Sequence, residues 1–172
     1  GGAPSYSCMG YITLGKALES LYGKDLKDLA REMVFEPLGM KNTCYCPTGD
    51  NIAATEVNPA TGKAWVGIVH DENARFQNGV SGNAGVFSCI GDMIKFCQML
   101  ACGGKDYLPS AMLNKAITNC TPGKDVHRGL GFHLGGTECN YLGDLMPDCS
   151  FGHTGFTGTS FGVDPTTGYY VI

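Results

Sequence analysis

The spacing of apolar side chains predicts four helices in the first two thirds of the chain. Between residues 9 and 22 they recur at helical intervals, and Gly23 stands where a helix C-terminal glycine is expected. A second helix opened by Asp25 must end before Pro37, because the residue ahead of a proline is disfavoured in the α conformation. The predicted helices cover residues 9–22, 25–36, 90–102 and 109–119.

After residue 125 the pattern changes to the two-residue alternation of strands. Residues 39–85 show no sustained period, which predicts mainly long loop with short extended pieces. We therefore expect an α+β fold in a single domain of residues 1–172, with helices and long loops in 1–125 and antiparallel strands in 126–172. The predicted strands are 130–134, 150–155, 159–163 and 169–172, the last two joined by a hairpin-type connection at 164–168.

The charge pattern argues against a nucleic-acid partner. The net charge is −4, and the 12 lysines and arginines are scattered rather than gathered into a basic surface. The apolar runs are too short for a membrane-spanning segment. The compartment stays open between the cytoplasm and the cell envelope.

The two ends of the chain predict that it is a piece of a longer protein. The first residues are neither an initiator methionine nor a signal peptide, and the last ones lie within a predicted strand. A sheet cut in this way has exposed strand edges, so we expect self-association.

Cysteine and histidine usage predicts neither a disulfide framework nor a metal site. The nine cysteines are odd in number and lack paired spacing, so most are expected to be buried free thiols, with Cys89, Cys97 and Cys102 acting as small hydrophobes near the third helix. The four histidines lack metal-ligand spacing. No cofactor is predicted.

The segment from Gly152 to Ser160 is the first of three that could carry chemistry. Glycines flank His153 and Thr154, so backbone there can approach a ligand and pair with an extended substrate. The alternative is a twisted edge strand whose glycines only relieve crowding.

Tyr6 and Ser7 precede the first helix and form the second segment. A tyrosine held there beside cations can act as a general base. The alternative, which the sequence alone favours, is that Ser7 caps the helix while Tyr6 packs as a staple.

The third segment is the polar stretch that contains His70, Asp71, Asn73, Ser81 and Asn83. A Ser-His-Asp triad is disfavoured, because Ser81 lacks the G-x-S-x-G elbow and adjacent His and Asp side chains seldom converge. A hydrogen-bonded loop that orders the wall of a site is the favoured interpretation.

Taken in order, these segments resemble the serine β-lactamase-related hydrolases: class C β-lactamases, D-alanyl-D-alanine carboxypeptidases and family VIII esterases. The resemblance is carried by Tyr6-Ser7, by the E-P-L-G-M-x-x-T run at residues 36–43, by V-H-D-x-N-A at 69–74, by G-N-A-G-V-F-S at 82–88, and by G-H-T-G-F-T-G-T at 152–159. It covers nearly the whole chain and implies a partial β-lactamase/transpeptidase-like fold.

What the resemblance implies is hydrolysis of a small-molecule or peptide substrate through an acyl-serine intermediate. Tyr6 would relay the proton, His153, Thr154 and Gly155 would contact the substrate, and the N–H of Phe156 would donate to the oxyanion.

Three departures from the family pattern qualify this expectation. The chain contains no Ser-x-x-Lys, so the nucleophile would lie before Gly1 and the chain as given would be inactive. Cys8 stands where the family carries Asn or Asp, and Asn83 where His is common. A non-catalytic module that binds peptide or cell wall is the alternative, and a reaction at Ser81 or at a thiol within this chain is a third possibility.

Overall fold

The computed structural model describes residues 5–137 and 142–172, which form helices and antiparallel sheets in two compact units. One unit is Tyr6–Asp92, and the other is Met93–Ile172 together with Ser5. The α+β class is confirmed. The helices are α1 (Cys8–Tyr22), α2 (Leu26–Ala30) followed by a π-helical turn (Arg31–Phe35), α3 (Glu72–Phe76), α4 (Ile90–Ala101) and α5 (Ser110–Ala116). The strands are β1 (Cys44–Tyr45), β2 (Ala54–Val57), β3 (Ala64–Val66), β4 (Val86–Phe87), β5 (His133–Leu134), β6 (Phe151–Thr154), β7 (Ser160–Val163) and β8 (Tyr170–Val171).

In the first unit, α1 packs through a glycine rather than through its apolar stripe. Gly23 ends the helix at φ 63°, as predicted, and its N–H donates to the carbonyl of Glu19. The leucines at positions 14, 18 and 21 are exposed, whereas Gly15 is buried. A Cβ on Gly15 would lie 3.2 Å from the Cα of Gly82, and one on Gly82 would lie 2.0 Å from the carbonyl oxygen of Tyr11. The loop that contains Gly82 therefore lies directly on the backbone of α1.

A buried carboxylate joins the E-P-L-G-M-x-x-T segment to the start of α4. Asp92 is 1% exposed and accepts hydrogen bonds from the backbone N–H of Asn42 and from the hydroxyl of Thr43. The Thr43 hydroxyl also lies 2.8 Å from that of Ser88. Because a buried carboxylate must be hydrogen-bonded, this cluster accounts for the threonine of the segment.

The second unit is built on a four-stranded antiparallel sheet of order β5-β6-β7-β8. Phe151 and Val163 are fully buried and face each other across β6 and β7. Phe161 packs edge-on against Phe96 of α4, with ring centroids 5.8 Å apart, and Phe132 packs in the same way against Phe151. The predicted strands of this region are thus confirmed, with shorter bounds, and the sheet holds His153 and Thr154 at the end of β6.

Two predicted elements differ from the structure. The fourth helix ends at Ala116 rather than at residue 119, because the carbonyl of Ala116 accepts a hydrogen bond from Leu130 as the chain returns toward β5. Within residues 39–85, expected to be mainly loop, Asp71 caps the short helix α3 and two small antiparallel pairs form. Helix α3 is only five residues long, which is too short for a helical period to be recognised.

The prediction that most cysteines are buried is wrong for the residues that the structure describes. All of the described cysteines are free, but only Cys97 is buried, and Cys89 and Cys102 are exposed. Cys97 points into the core from α4, whereas Cys89 precedes that helix and Cys102 follows it. Cys139 lies outside the described residues.

Candidate functional site

His153 lies at the end of β6 with a defined ring orientation. Its Nδ1 is 2.7 Å from the carbonyl oxygen of Thr154. In the sheet, His153 is opposite Phe161 and Thr154 is opposite Ser160. Beyond the strand, the N–H of Gly155 donates to the carbonyl of Thr159 and closes the turn. Both candidate substrate-binding side chains, His153 and Thr154, are therefore half-buried in a rigid hairpin.

Crowding inside this hairpin explains two of its glycines. A Cβ on Gly152 would lie 2.0 Å from the carbonyl oxygen of Phe161, and one on Gly155 would lie 2.3 Å from the hydroxyl oxygen of Thr159. Gly158 has a φ of 94° in the turn. The Phe156 side chain next to it is 90% exposed. The glycines thus relieve crowding between the two strands, but β6 pairs with both β5 and β7 and is not the edge strand of the structural alternative. Phe156 is presented to solvent.

A second histidine, which the sequence analysis did not single out, packs against the first. His133 on β5 is opposite Gly152, and its ring lies 4.5 Å from that of His153 at an interplanar angle of 70°. It is 7% exposed. Burial, the nearby charge of Arg128 and the His153 ring lower the pKa of His133 to about 4. His133 is therefore uncharged at neutral pH.

Tyr6 is exposed at the N-terminal end of α1, in the other unit. Its side chain is 71% exposed. Ser7 is the N-cap residue and has an extended backbone, but its hydroxyl makes no capping hydrogen bond. Ser7 therefore has the N-cap position of the structural alternative but not its capping hydrogen bond. Cys8, the first helical residue, is partly buried as a free thiol.

The polar loop is held together by separate contacts rather than by a catalytic triad. His70 Nε2 lies 3.1 Å from Glu56, and the Asp71 carboxylate accepts from the N–H of Ala74 as the cap of α3. The Ser81 hydroxyl is buried and donates to Asn83 at 2.8 Å. With each of these side chains engaged by a different partner, the geometry does not form a triad.

The backbone of this loop is fixed by Gln77 and Arg75. Gln77 Nε2 donates to the carbonyl of Asn73 and to the Ser81 hydroxyl. The Arg75 guanidinium donates to the carbonyls of Val69 and His70 and stacks 4.1 Å over the ring of Trp65. These hydrogen bonds and the ring contact order the loop.

Other kinds of site receive no support from the described residues. In residues 5–137 and 142–172, no three His, Cys, Asp or Glu side chains are grouped so that they could hold a metal ion. Over the same ranges, no helix combines the length and the apolar character needed to cross a membrane. A cleft of about 260 Å³ is present in the first unit, and none of the candidate catalytic or substrate-binding residues lines it. The cleft is lined by Cys46, Gly67, Ile68, Val69, Arg75, Asn78, Gly79 and Phe87.

A helical segment is followed by an antiparallel sheet whose second strand carries His153 and Thr154, and this arrangement is that of the β-lactamase fold. The chain belongs to the beta-lactamase family, whose family model matches residues 1–172. The chain is similar to a protein of Escherichia coli (strain K12) named "Putative D-alanyl-D-alanine carboxypeptidase", with 33% identity over 97% of this chain. A protein of the same name from Salmonella typhi is 32% identical. The chain spans 43% and 44%, respectively, of these two relatives.

Solved structures share the fold at low sequence identity. A β-lactamase from Mycobacterium bovis superposes with a TM-score of 0.71 at 21% identity, over 96% of this chain and 54% of that one. A penicillin-binding protein homologue from Caulobacter crescentus gives a TM-score of 0.68 at 24% identity, over 100% of this chain and 53% of that one. The resemblance read from the sequence motifs is therefore confirmed at the level of family and fold.

Proposed function

We propose that this chain is the part of a serine hydrolase that binds the substrate and relays the proton, and that the longer protein cleaves an ester, a β-lactam or a D-alanyl peptide through an acyl-serine intermediate. The family match over all 172 residues carries the proposal. The chain has no Ser-x-x-Lys and spans less than half of its curated relatives, so the nucleophile is assigned to a segment outside it. By itself the chain is expected to be inactive.

Each candidate residue then has a proposed role in one reaction. Tyr6 accepts the proton of the nucleophile and passes it to the leaving group. His153 and Thr154 hydrogen-bond to the substrate, Gly155 lets it approach the strand, and the N–H of Phe156 stabilises the oxyanion. The half-buried position of His153 and Thr154 on a rigid hairpin supports this assignment, because a fixed binding group loses less freedom when substrate binds.

The remaining candidates are proposed to support the site. Cys8 is the first residue of α1 and directly follows the Tyr6-Ser7 pair. The ordered loop contributes His70, Asp71, Asn73 and Asn83. Because the carboxylate of Asp71 is already engaged as a helix cap, its part is to hold the loop rather than to transfer protons.

Hydrolysis of nitrocefin, p-nitrophenyl butyrate and a D-alanyl-D-alanine peptide tests the proposal. The longer protein should turn over at least one substrate and be labelled by a fluorophosphonate or penicillin probe, and the 172-residue chain should do neither. In the longer protein, Tyr6→Phe should lower kcat by at least about a hundredfold with little change in KM. Lack of turnover and of labelling in the longer protein would refute the proposal.

A non-catalytic module that binds peptide or cell wall is the second candidate. One observation favours it: Cys8 replaces the family's amide or carboxylate. The upstream sequence discriminates between the candidates, because Ser-x-x-Lys on a predicted helix favours the enzyme. Binding of a D-alanyl-D-alanine peptide by the longer protein without its hydrolysis would favour the module.

A further inference from the structure

Helix α1 carries a stripe of large apolar side chains along one face. At about 3.6 residues per turn, the five members of this stripe fall within about 100° of the helix circumference. They are between 37% and 76% exposed. A contiguous apolar surface of this kind on a folded protein marks a site of interaction. The members of the stripe are Tyr11, Leu14, Leu18, Leu21 and Tyr22.

The stripe is distinct from the side of α1 that already packs within its unit. The buried Gly15 lies on a neighbouring side of the helix, where the backbone of Gly82 approaches it. The side opposite the stripe carries the exposed polar residues Thr13 and Ser20. The contact with the Gly82 loop therefore leaves the stripe uncovered, and α1 has a second apolar face.

The spacing of the stripe fits another helix. Its first four members, at positions 11, 14, 18 and 21, are separated by three, four and three residues, which is the spacing with which two helices interlock their side chains. The one basic residue of α1, Lys16, pairs with Glu19 at 2.7 Å. The helix thus lacks the row of cations that holds an amphipathic helix on an anionic membrane. The apolar face of a second helix is the surface that matches the stripe.

We propose that the stripe is the docking surface for an amphipathic helix in the part of the longer protein that precedes Gly1. The chain matches two curated relatives over 97% of its own length but spans only 43% and 44% of theirs, so more than half of each relative lies outside the match. Because α1 begins at Cys8, a segment before Gly1 reaches the stripe across a short connection. This inference rests on the longer protein of the proposed function, but not on its activity.

Thermal unfolding of two double variants, each made in the longer protein and in the 172-residue chain, tests the proposal. Leu14→Lys/Leu21→Lys places charges in the stripe, and lysine forms a helix about as well as leucine. In the longer protein it should lower the melting temperature by at least about 5 °C, because two covered leucines become charged. In the 172-residue chain both leucines are exposed, so the shift should stay below about 2 °C. The matched control is Thr13→Lys/Ser20→Lys on the opposite side, which should shift the melting temperature of either protein by less than about 2 °C.

The outcomes separate the proposed occupant from others. Equally small shifts in the two proteins, or a large loss in the 172-residue chain, would overturn the proposal. A dimer of the 172-residue chain that the stripe variant separates, with the longer protein unaffected, would overturn it in favour of a second copy. Binding of the longer protein to phosphatidylglycerol vesicles that the stripe variant abolishes would overturn it in favour of a membrane. A longer protein that folds with the control substitutions but not with the stripe substitutions would support it.

None of these measurements depends on catalysis. The expected difference in melting temperature together with an absence of hydrolysis would therefore count against the proposed function alone.

Discussion

Acid should destabilise the second unit by protonating His133. The pKa of this histidine is lowered from 6.5 to about 4 in the folded chain, mainly by burial, so the unfolded chain binds its proton first as the pH falls. Stability is therefore complete above pH 6.5 and decreases between pH 6.5 and 4. A difference of this size corresponds to about 3 kcal/mol, which is a large part of the stability of a typical domain.

Urea unfolding at several pH values measures this loss. The free energy of unfolding should fall between pH 7 and pH 4 in the parent chain, and the decrease should be smaller by about 3 kcal/mol in His133→Phe, which cannot be protonated. His127→Phe is a matched control, because His127 belongs to the same unit, is only partly buried, and has its Nδ1 3.3 Å from the carbonyl of Gly135. Equal pH dependence in the parent chain and in His133→Phe would refute the reasoning.

Three further predictions concern stability and assembly. Gly82→Ala should destabilise the first unit by about 1–3 kcal/mol in urea, because its Cβ would meet the backbone of Tyr11, whereas Gly10→Ala, with open space around its Cβ, should not. Hydrogen bonds from Thr166 and Thr167 lower the pKa of Asp164 to about 2. The contribution of Asp164 to stability is therefore present above about pH 4 and is lost toward pH 2. Asp164→Asn should lower the melting temperature at pH 7 and reduce the loss of stability seen on acidification below pH 4. The chain should associate in solution through the edge strand β8 and its exposed apolar residues, and light scattering that shows a clean monomer would contradict this.

Local signals were sufficient to predict most of the regular elements. Gly23 ends α1 as its position suggested, since only a residue tolerant of positive φ fits there. The connection at 164–168 forms the expected hairpin, with Asp164 accepting from Thr166 and Gly168 at a φ of 76°. Each of these features depends on a few consecutive residues, so the local sequence is sufficient to predict it.

The features that could not be predicted depend on residues far apart in the chain. The apolar stripe of α1 suggested a buried face, but the buried residue is Gly15, because a loop almost seventy residues later lies on it. Asp92 and Thr43 form a buried pair across 49 positions. Neither spacing nor composition indicates such contacts, since they are set by the tertiary packing.

His133 illustrates why a motif alone defines a site incompletely. The His-Thr-Gly run identifies His153 but not the contacts of its imidazole, whose Nδ1 lies against the carbonyl of Thr154 and whose ring packs against His133 from another strand. A lysine at the same position would be a donor whatever its surroundings, because an ammonium has no lone pair. A histidine is a donor or an acceptor according to its neighbours. The register of β5 against β6, which places His133 opposite Gly152, therefore sets a contact of His153 that the motif does not reveal.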